Sequence, residues 1–236
     1  MNFNIRIEGI KELSQKLNDI SKKQLPFALA KALTNTAQAV KAAEIEEMKK
    51  VFDRPTPYTL KSLFIESATK SKLQSKVWVK DEAVKYITPH ISGGERKVKR
   101  SEMHLQRARR LQLGMFLTPG QGAKLNKYGN ISGGKITQIL SVLKAHPDPY
   151  AWTSKRSRQR NKKLPEYFAI SGEKPSHLAP GVYQRSGRKI KPILAFVKKP
   201  QYKQRYKFFD VAQKIVAKEF WKKFEEAFKY AMATRK

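Results

Sequence analysis

The chain has 236 residues, 40% of them hydrophobic, which is enough for one or two domains with a buried core. Its formal net charge of +31 and isoelectric point near 10.3 predict a polyanionic neighbour, either a nucleic acid or an acidic protein surface. Because the sequence contains no cysteine, disulfides and thiolate metal sites are excluded, and a reducing cytosol is the expected place of synthesis and assembly.

The sequence predicts neither secretion nor insertion into a membrane. Residues 1–7 lack the apolar core of a signal peptide, and no stretch approaches the ~18 apolar residues of a spanning helix. We therefore expect no membrane partner.

The N-terminal part begins with a predicted strand and a long helix. Phe3, Ile5 and Ile7 alternate with polar residues, as in a short half-buried strand. After Pro26, residues 27–52 are rich in Ala, Leu, Lys and Glu, with apolar side chains at helical spacing. This segment is the first of two long helices that the sequence predicts.

A short capped helix and a pair of strands are expected next. Thr56 is placed to cap a helix that has Pro57 at its first position. Residues 64–69 and 73–80 are typical of strands, with Trp78 facing away from the valines on either side of it. The short link between the two strands predicts antiparallel pairing.

The middle of the chain, residues 92–175, is basic and rich in loops. We interpret it as a loop-and-helix insertion between an N-terminal part (1–91) and a C-terminal part (176–236) of one structural domain, 1–236. Near its end, Tyr167–Ile170 returns the chain to a strand.

A glycine-rich segment in this region permits two interpretations. Gly129–Lys135 has the glycine and lysine spacing of a phosphate-binding loop, but the next residue is Ile136, where magnesium coordination requires Ser or Thr. We interpret the segment as a turn before a helix at Gly133–Ala145 that Ser132 caps.

The C-terminal part predicts a hairpin and the second long helix. Gly181–Arg185 and Ile190–Val197 are two β-rich runs separated by a Ser-Gly turn, and Pro192 is expected at an edge or a bulge. From Phe208 to Ala231, apolar residues recur every fourth position, so we expect a helix that packs on this hairpin and on the other long helix. The predicted fold is α+β, with two long amphipathic helices packed on a mostly antiparallel sheet.

The basic residues of the middle region are the candidate contacts to a nucleic acid or to an acidic partner. The run 155–163 holds six positive charges and no acid, and three interpretations stay open for it: phosphate contact, contact with an acidic protein surface, and a solvated loop. The candidates are Arg96, Lys97, Lys99, Arg100, Arg107, Arg109, Arg110, Lys155, Arg156, Arg158, Arg160, Lys162, Lys163, Arg188 and Lys189.

A nuclease is the enzyme class to test in so basic a protein, and it would need clustered carboxylates to hold magnesium. Asp81 and Glu82 are adjacent, but we interpret them as a polar turn after the strand that contains Trp78. The acids of the basic region are isolated in sequence: Glu95, Glu102, Asp148, Glu166 and Glu173.

Histidine and serine chemistry has no motif either. The histidines have no pair at i, i+4, so we interpret each as a surface or loop residue, and no nucleophile-elbow motif surrounds any serine. We therefore predict a protein that is not an enzyme, with no catalytic residue, no cofactor and no bound metal. The histidines are His90, His104, His146 and His177.

Several motifs resemble those of structural proteins from tailed phages and prophages. They are Val51–Leu63, Tyr128–Ser132, Pro180–Arg185, Ile190–Val197, Tyr202 and Phe208. In these motifs the chain is similar to the lambda-type minor tail protein Z family, also called tail completion proteins.

This resemblance implies a virion protein at the head-proximal end of the tail or in the neck, assembled in the cytoplasm of the host bacterium. It implies a role in tail assembly and head–tail joining, as a homo-oligomeric ring for which we expect six-fold symmetry. The implied partners are other tail, neck or head-connector proteins and DNA in the lumen, with no small-molecule substrate. The alternative is an intracellular, sequence-nonspecific DNA- or RNA-binding protein that acts through the basic middle region.

Overall fold

The computed structural model describes residues 1–8, 19–148, 166–172 and 176–234, without the side chains of residues 19–22. Over these ranges the predicted α+β class is confirmed, and no helix is both long enough and apolar enough to cross a bilayer. The helices are α1 (Asp19–Val51), α2 (Pro57–Leu60), α3 (Asp81–Ser92), α4 (Arg100–Arg107), α5 (Gly133–Val142) and α6 (Phe208–Ala233). The strands are β1 (Asn2–Arg6), β2 (Leu63–Glu66), β3 (Gln74–Val79), β4 (Gly94–Glu95), β5 (Phe116–Pro119), β6 (Glu166–Ile170), β7 (Gly181–Ser186), β8 (Lys189–Val197) and β9 (Gln201–Tyr202).

The chain divides into two compact units. Residues 1–94 and 202–236 form the first unit, and residues 95–201 form the second. We placed the end of the inserted middle region at residue 175, but residues 176–201 group with the second unit because β7 and β8 complete its sheet. The inserted segment is longer than its basic composition indicated, since its last strands are largely apolar.

The core of the first unit lies between α1, α6 and a three-stranded sheet in the order β1-β3-β2. The buried cluster contains several alanines, among them Ala32 on α1 and Ala212 and Ala227 on α6, and small side chains allow helices to approach closely. Larger side chains such as Leu33 and Val77 fill the space toward the sheet. Burial of each of these larger side chains contributes a gross ~1.5–3 kcal/mol to the stability of the fold. The contact between the two helices and the sheet therefore stabilises this unit.

The prediction for α6 is confirmed for the helix and wrong for its partner sheet. We expected its apolar stripe to pack on the hairpin of β7 and β8. Instead it belongs to the cluster formed with α1 and the β1-β3-β2 sheet, whereas the buried residues of the hairpin belong to the cluster of the second unit. An apolar stripe requires an apolar partner surface, but it does not specify which of two sheets supplies that surface.

Helix α1 starts earlier than we predicted from the position of Pro26. We placed the start after Pro26, but the helix begins at Asp19 and continues through that residue. A proline removes one backbone N–H donor. Leu25 and Ala28 on either side of it are buried, so tertiary packing holds this part of the helix together.

Two predicted helix caps are confirmed. The Thr56 side chain accepts a 3.2 Å hydrogen bond from the Thr59 N–H at the start of α2, where Pro57 is the first residue. Ser132 accepts a 3.3 Å hydrogen bond from the Lys135 N–H at the start of α5, which ends a few residues before the predicted position. The glycine-rich segment is therefore a turn before a capped helix.

Strands β2 and β3 pair antiparallel as predicted, and Trp78 faces away from its buried neighbours Val77 and Val79. Asp81 and Glu82 do not form the polar turn that we expected, because they begin α3. Acids in the first turn stabilise a helix through its dipole, and that is the signal the sequence interpretation missed.

The second unit is built on a four-stranded antiparallel sheet in the order β5-β8-β7-β6, covered by α4 and α5. The predicted hairpin of β7 and β8 is confirmed, and the strand predicted at Tyr167–Ile170 is β6. The β7–β8 ladder shifts register between Val182 and Tyr183, whose partners are Leu194 and Pro192. We predicted Pro192 at an edge or a bulge, and the register shift next to it agrees with the second alternative, because proline has no N–H for a regular ladder.

Candidate nucleic-acid or acidic-partner interface

Arg96, one of the candidate contacts, lies in the interior of the second unit and is 7% exposed. Its guanidinium donates two hydrogen bonds, of 2.8 and 2.5 Å, to the carboxylate of Glu102, and it lies 4.6 Å from the centre of the Phe116 ring. We expected a surface contact here, and the structure corrects this. Arg96 has a structural role, because its guanidinium forms a buried ion pair with Glu102.

Glu102 is the acceptor at the centre of this arrangement. Its carboxylate also accepts hydrogen bonds from the backbone N–H groups of Lys99 and Leu117, at 2.6 and 2.8 Å. Burial alone would raise the pKa of Glu102, but the hydrogen bonds from Arg96 and the two N–H groups outweigh it and hold the pKa below its ordinary value. The carboxylate ties α4 to β5.

The other candidates near α4 are exposed. Lys97 and Lys99 precede the helix, and Arg100 is its first residue. Three further arginines, Arg107, Arg109 and Arg110, lie within four residues at its C-terminal end. The negative end of the helix dipole favours cations there, so the structure gathers three positive charges at low cost.

The sharp turn after α4 places these three arginines. Arg109 has a left-handed backbone with φ of 53°, and the Arg110 N–H donates a 2.8 Å hydrogen bond to the Leu105 carbonyl. This closes the helix in the manner of a C-cap, in which the residue after the helix adopts a left-handed conformation. The sequence did not predict that cap, because arginine is an uncommon residue in it.

Arg188 and Lys189 lie at the tip of the β7–β8 hairpin. Both are exposed, and they follow Gly187, whose φ of 59° permits the tight turn. The candidates of the basic run lie outside the described residues: Lys155, Arg156, Arg158, Arg160, Lys162 and Lys163.

Three acids of the basic region, Glu95, Glu102 and Glu166, each lie next to a cation. Glu95 forms an ion pair with Lys199, and Glu166 lies 3.8 Å from Arg185. Glu173 lies outside the described residues. Within the described ranges, no three His, Cys, Asp or Glu side chains are grouped as metal ligands would be.

The structure brings together two histidines that are far apart in sequence. His104 and His146 have ring centroids 6.0 Å apart, and His104 is buried, which corrects our expectation of a surface or loop position. Burial, followed by the charge of Arg100, lowers the pKa of His104. His90 is half-buried and its Nδ1 accepts a 3.0 Å hydrogen bond from Arg205 Nε.

A buried pair in the first unit escaped the sequence analysis. The hydroxyl of Tyr206 donates a 2.7 Å hydrogen bond to Glu44 Oε2, and both residues are fully buried. Burial raises the pKa of Glu44 to about 8 and also raises that of Tyr206. The available signal was the position of Glu44 between Val40 and Met48 on the apolar stripe of α1, where a carboxyl group needs a partner.

No protein-family model, no curated protein and no solved structure matches this chain. The resemblance to tail completion proteins therefore stays a prediction that depends on the sequence motifs.

Proposed function

We propose that the chain is a non-enzymatic structural protein of a tailed-phage virion, acting in tail completion and head–tail joining at the head-proximal end of the tail. The observation that carries this proposal is where the family-like motifs fall. Val51–Leu63 forms the capped connection between α1 and β2, and Pro180–Arg185 with Ile190–Val197 supplies the two inner strands of the second unit. Motifs that build a scaffold favour a role in which shape and surface matter.

The charge distribution supports the same proposal. The exposed cations around α4 and at the hairpin tip are suited to acidic neighbours in a ring or to DNA in its lumen. A ring subunit needs such contacts with copies of itself and with tail, neck or head-connector proteins.

An amber mutant of the encoding phage tests this function directly. We expect the protein in mass spectra of purified wild-type virions, and we expect heads and tails that fail to join when the mutant grows in a non-suppressing host. Electron microscopy distinguishes unjoined from joined particles. Infectious, fully joined particles that lack the protein would end the proposal.

A second candidate function is sequence-nonspecific binding of DNA or RNA inside the cell, through the basic second unit. The three exposed arginines Arg107, Arg109 and Arg110 at one helix end favour it. If about six cations contacted phosphates, the logarithm of the affinity for duplex DNA would fall with log salt at a slope of roughly −5. Such a slope in a protein that never enters virions would favour this candidate over the first.

A further inference from the structure

The outer face of the β1-β3-β2 sheet carries its side chains in cross-strand rows. The strand register places Asn2, Trp78 and Phe64 in one row and Asn4, Lys76 and Glu66 in the next. The intervening residues of these strands point to the core of the first unit. We call this outer surface the sheet face.

Phe64 and Trp78 form an aromatic platform on the sheet face. Their ring centroids lie 5.9 Å apart with the planes inclined by 32°, and Phe64 is 41% exposed. Lys76 Nζ lies 5.5 Å from the centre of the Trp78 ring, and Lys80 Nζ lies 6.0 Å from the centre of the Phe64 ring. Phe64 is exposed and Trp78 is half-buried, and each ring has a lysine ammonium group over it.

The charge beside the platform is positive. Glu66 is held by the ammonium group of Lys72 at 2.7 Å, which offsets its charge and leaves Lys76 and Lys80 to set the sign of the potential near the rings. A shallow cavity of about 210 Å³ lies next to the platform, and the amide side chains of Asn2 and Asn4 line it. Amide groups both donate and accept hydrogen bonds, as the edges of nucleic-acid bases require.

We propose that the sheet face binds single-stranded nucleic acid, with bases stacked on Phe64 and Trp78 and phosphates contacted by Lys76 and Lys80. Exposed aromatic rings on a sheet with cations beside them are a general solution for unpaired bases. A duplex covers the faces of its bases and so cannot use the platform. An acidic peptide would satisfy the lysines but would not use the ring faces.

This site differs from the basic candidates described above, because it lies in the first unit and depends on stacking as well as charge. It does not rest on the proposed virion role, since a single strand could be met during assembly, DNA passage or an intracellular function. Its test must therefore separate stacking from the nonspecific affinity that a net charge of +31 confers on the whole chain.

The test compares a fluorescent oligo-dT strand with an abasic strand of the same length and charge, using full-length protein and fluorescence anisotropy. The variant is Phe64→Leu with Trp78→Leu, in which leucine keeps an apolar side chain on each strand but removes both ring faces. We expect it to lower the affinity for oligo-dT about tenfold or more, the loss of at least one stacked base, and to leave the abasic strand unchanged. Circular dichroism verifies the fold.

Trp221→Leu is the matched control. Trp221 is also an aromatic residue of the first unit and is 68% exposed, but it lies on α6, away from the sheet face. Its replacement should leave the affinities for both strands unchanged. An equal loss in this variant would show that any exposed ring contributes, and would overturn the assignment to the sheet face.

A lysine variant tests the phosphate contacts and stays informative if the leucine variant does not fold. Lys76→Gln with Lys80→Gln should make the slope of log affinity against log salt shallower by about 1–2 for oligo-dT. Lys218→Gln with Lys222→Gln is the control, because both lysines are exposed residues of α6. This control should make the slope shallower by a smaller amount. Equal slopes in the two variants would overturn the proposal.

Two further outcomes would also reject the site. Wild-type protein that binds oligo-dT and the abasic strand equally well uses charge alone, so no platform acts. A leucine variant that changes the oligomeric state in analytical ultracentrifugation, with its affinity for oligo-dT unchanged, would identify the sheet face as a protein interface.

Discussion

Glu102 and Glu44 are both fully buried carboxyl groups, but their surroundings move their pKa values in opposite directions. Glu102 accepts hydrogen bonds from Arg96 and from two backbone N–H groups, which lower its pKa despite burial. Glu44 accepts one hydrogen bond, from Tyr206, and its Oε1 has no hydrogen-bond partner within the described residues. The hydrogen-bond donors around a buried carboxyl group, and the presence of a cation among them, decide whether it carries its charge.

Glu44→Gln should make the protein more stable at neutral and alkaline pH and flatten its pH dependence. The pKa of Glu44 is raised from 4.5 to about 8, so between these values the folded state holds a proton that the unfolded chain has released. Stability contributed by this group is complete below pH 4.5 and is lost as pH rises toward 8, at up to ~1.4 kcal/mol per pH unit. Urea unfolding at a series of pH values measures it.

The exposed Glu46 on the same helix provides the control for this measurement. Glu46→Gln should keep the wild-type pH profile. A Glu44→Gln profile that parallels the wild type between pH 5 and 8 would contradict the assignment of a raised pKa to Glu44.

Arg96→Ala should destabilise the protein by about 3–5 kcal/mol, because it leaves the Glu102 carboxylate buried without its cation. Arg107→Ala, at an exposed position of the same region, should change stability by no more than about 0.5 kcal/mol. The double variant Arg96→Met with Glu102→Leu should recover only part of the loss, because it removes both charges but leaves the N–H groups of Lys99 and Leu117 without their acceptor. Thermal unfolding that gives Arg96→Ala and Arg107→Ala the same loss of stability would contradict the structural role of Arg96.

At the scale of elements, α6 and the β7–β8 hairpin show which features the spacing of apolar residues predicts and which it does not. The spacing of apolar residues predicted the bounds of both elements, because each pattern follows from local backbone geometry. The partners were decided by packing. Phe220 of α6 is buried in the cluster with α1, whereas Phe224 is only partly buried at its edge.

Phe220→Ala should cost about 3–5 kcal/mol of unfolding free energy, because it opens a cavity in the core of the first unit. Phe224→Ala should cost less, since part of that ring already contacts solvent. Trp221→Ala, the neighbouring exposed ring, should cost least. Urea unfolding of the three variants gives the ranking, and an equal cost at Phe220 and Trp221 would contradict the assigned face of α6.

Gly120→Ala should destabilise the second unit by about 1–3 kcal/mol. A Cβ atom there would lie 2.5 Å from the Pro192 carbonyl oxygen, where the Gly120 N–H already donates a 2.9 Å hydrogen bond to Ile193. Gly133→Ala is the control. Gly133 is the first residue of α5, and a Cβ atom added there would have no neighbouring atom within 4 Å. Alanine there should be neutral or stabilising by up to about 1 kcal/mol.

At the scale of the whole molecule, a net charge of +31 is distributed over two compact units. The exposed cations described around α4 and at the hairpin tip belong to the second unit, and the lysines of the sheet face belong to the first. They predict different behaviour: the cations of the second unit bind any polyanion with a salt-dependent affinity, and the sheet face distinguishes unpaired bases from bare phosphates.

Replacing five residues of the basic run together with Gln should leave the melting temperature unchanged and weaken assembly or DNA contact. The charge of the run predicts a solvated position, and substitutions at such positions usually change stability by no more than about 0.5 kcal/mol each. Differential scanning calorimetry and the salt slope of duplex binding measure the two effects, and a collapse of thermal stability would show that the run is structural. The five are Arg156, Arg158, Arg160, Lys162 and Lys163.

The sequence by itself determined the α+β class, both long helices, the caps at Thr56 and Ser132, and the β7–β8 hairpin. These features depend on neighbouring residues and on backbone geometry, which a local pattern contains. Only the tertiary structure decided that Arg96 is buried against Glu102 and which sheet α6 covers. Arg96 and Glu102 are only six residues apart, but their burial depends on β5, and α6 contacts α1 from the other end of the chain. Many apolar or charged surfaces could supply an acceptable partner, so packing selects among them.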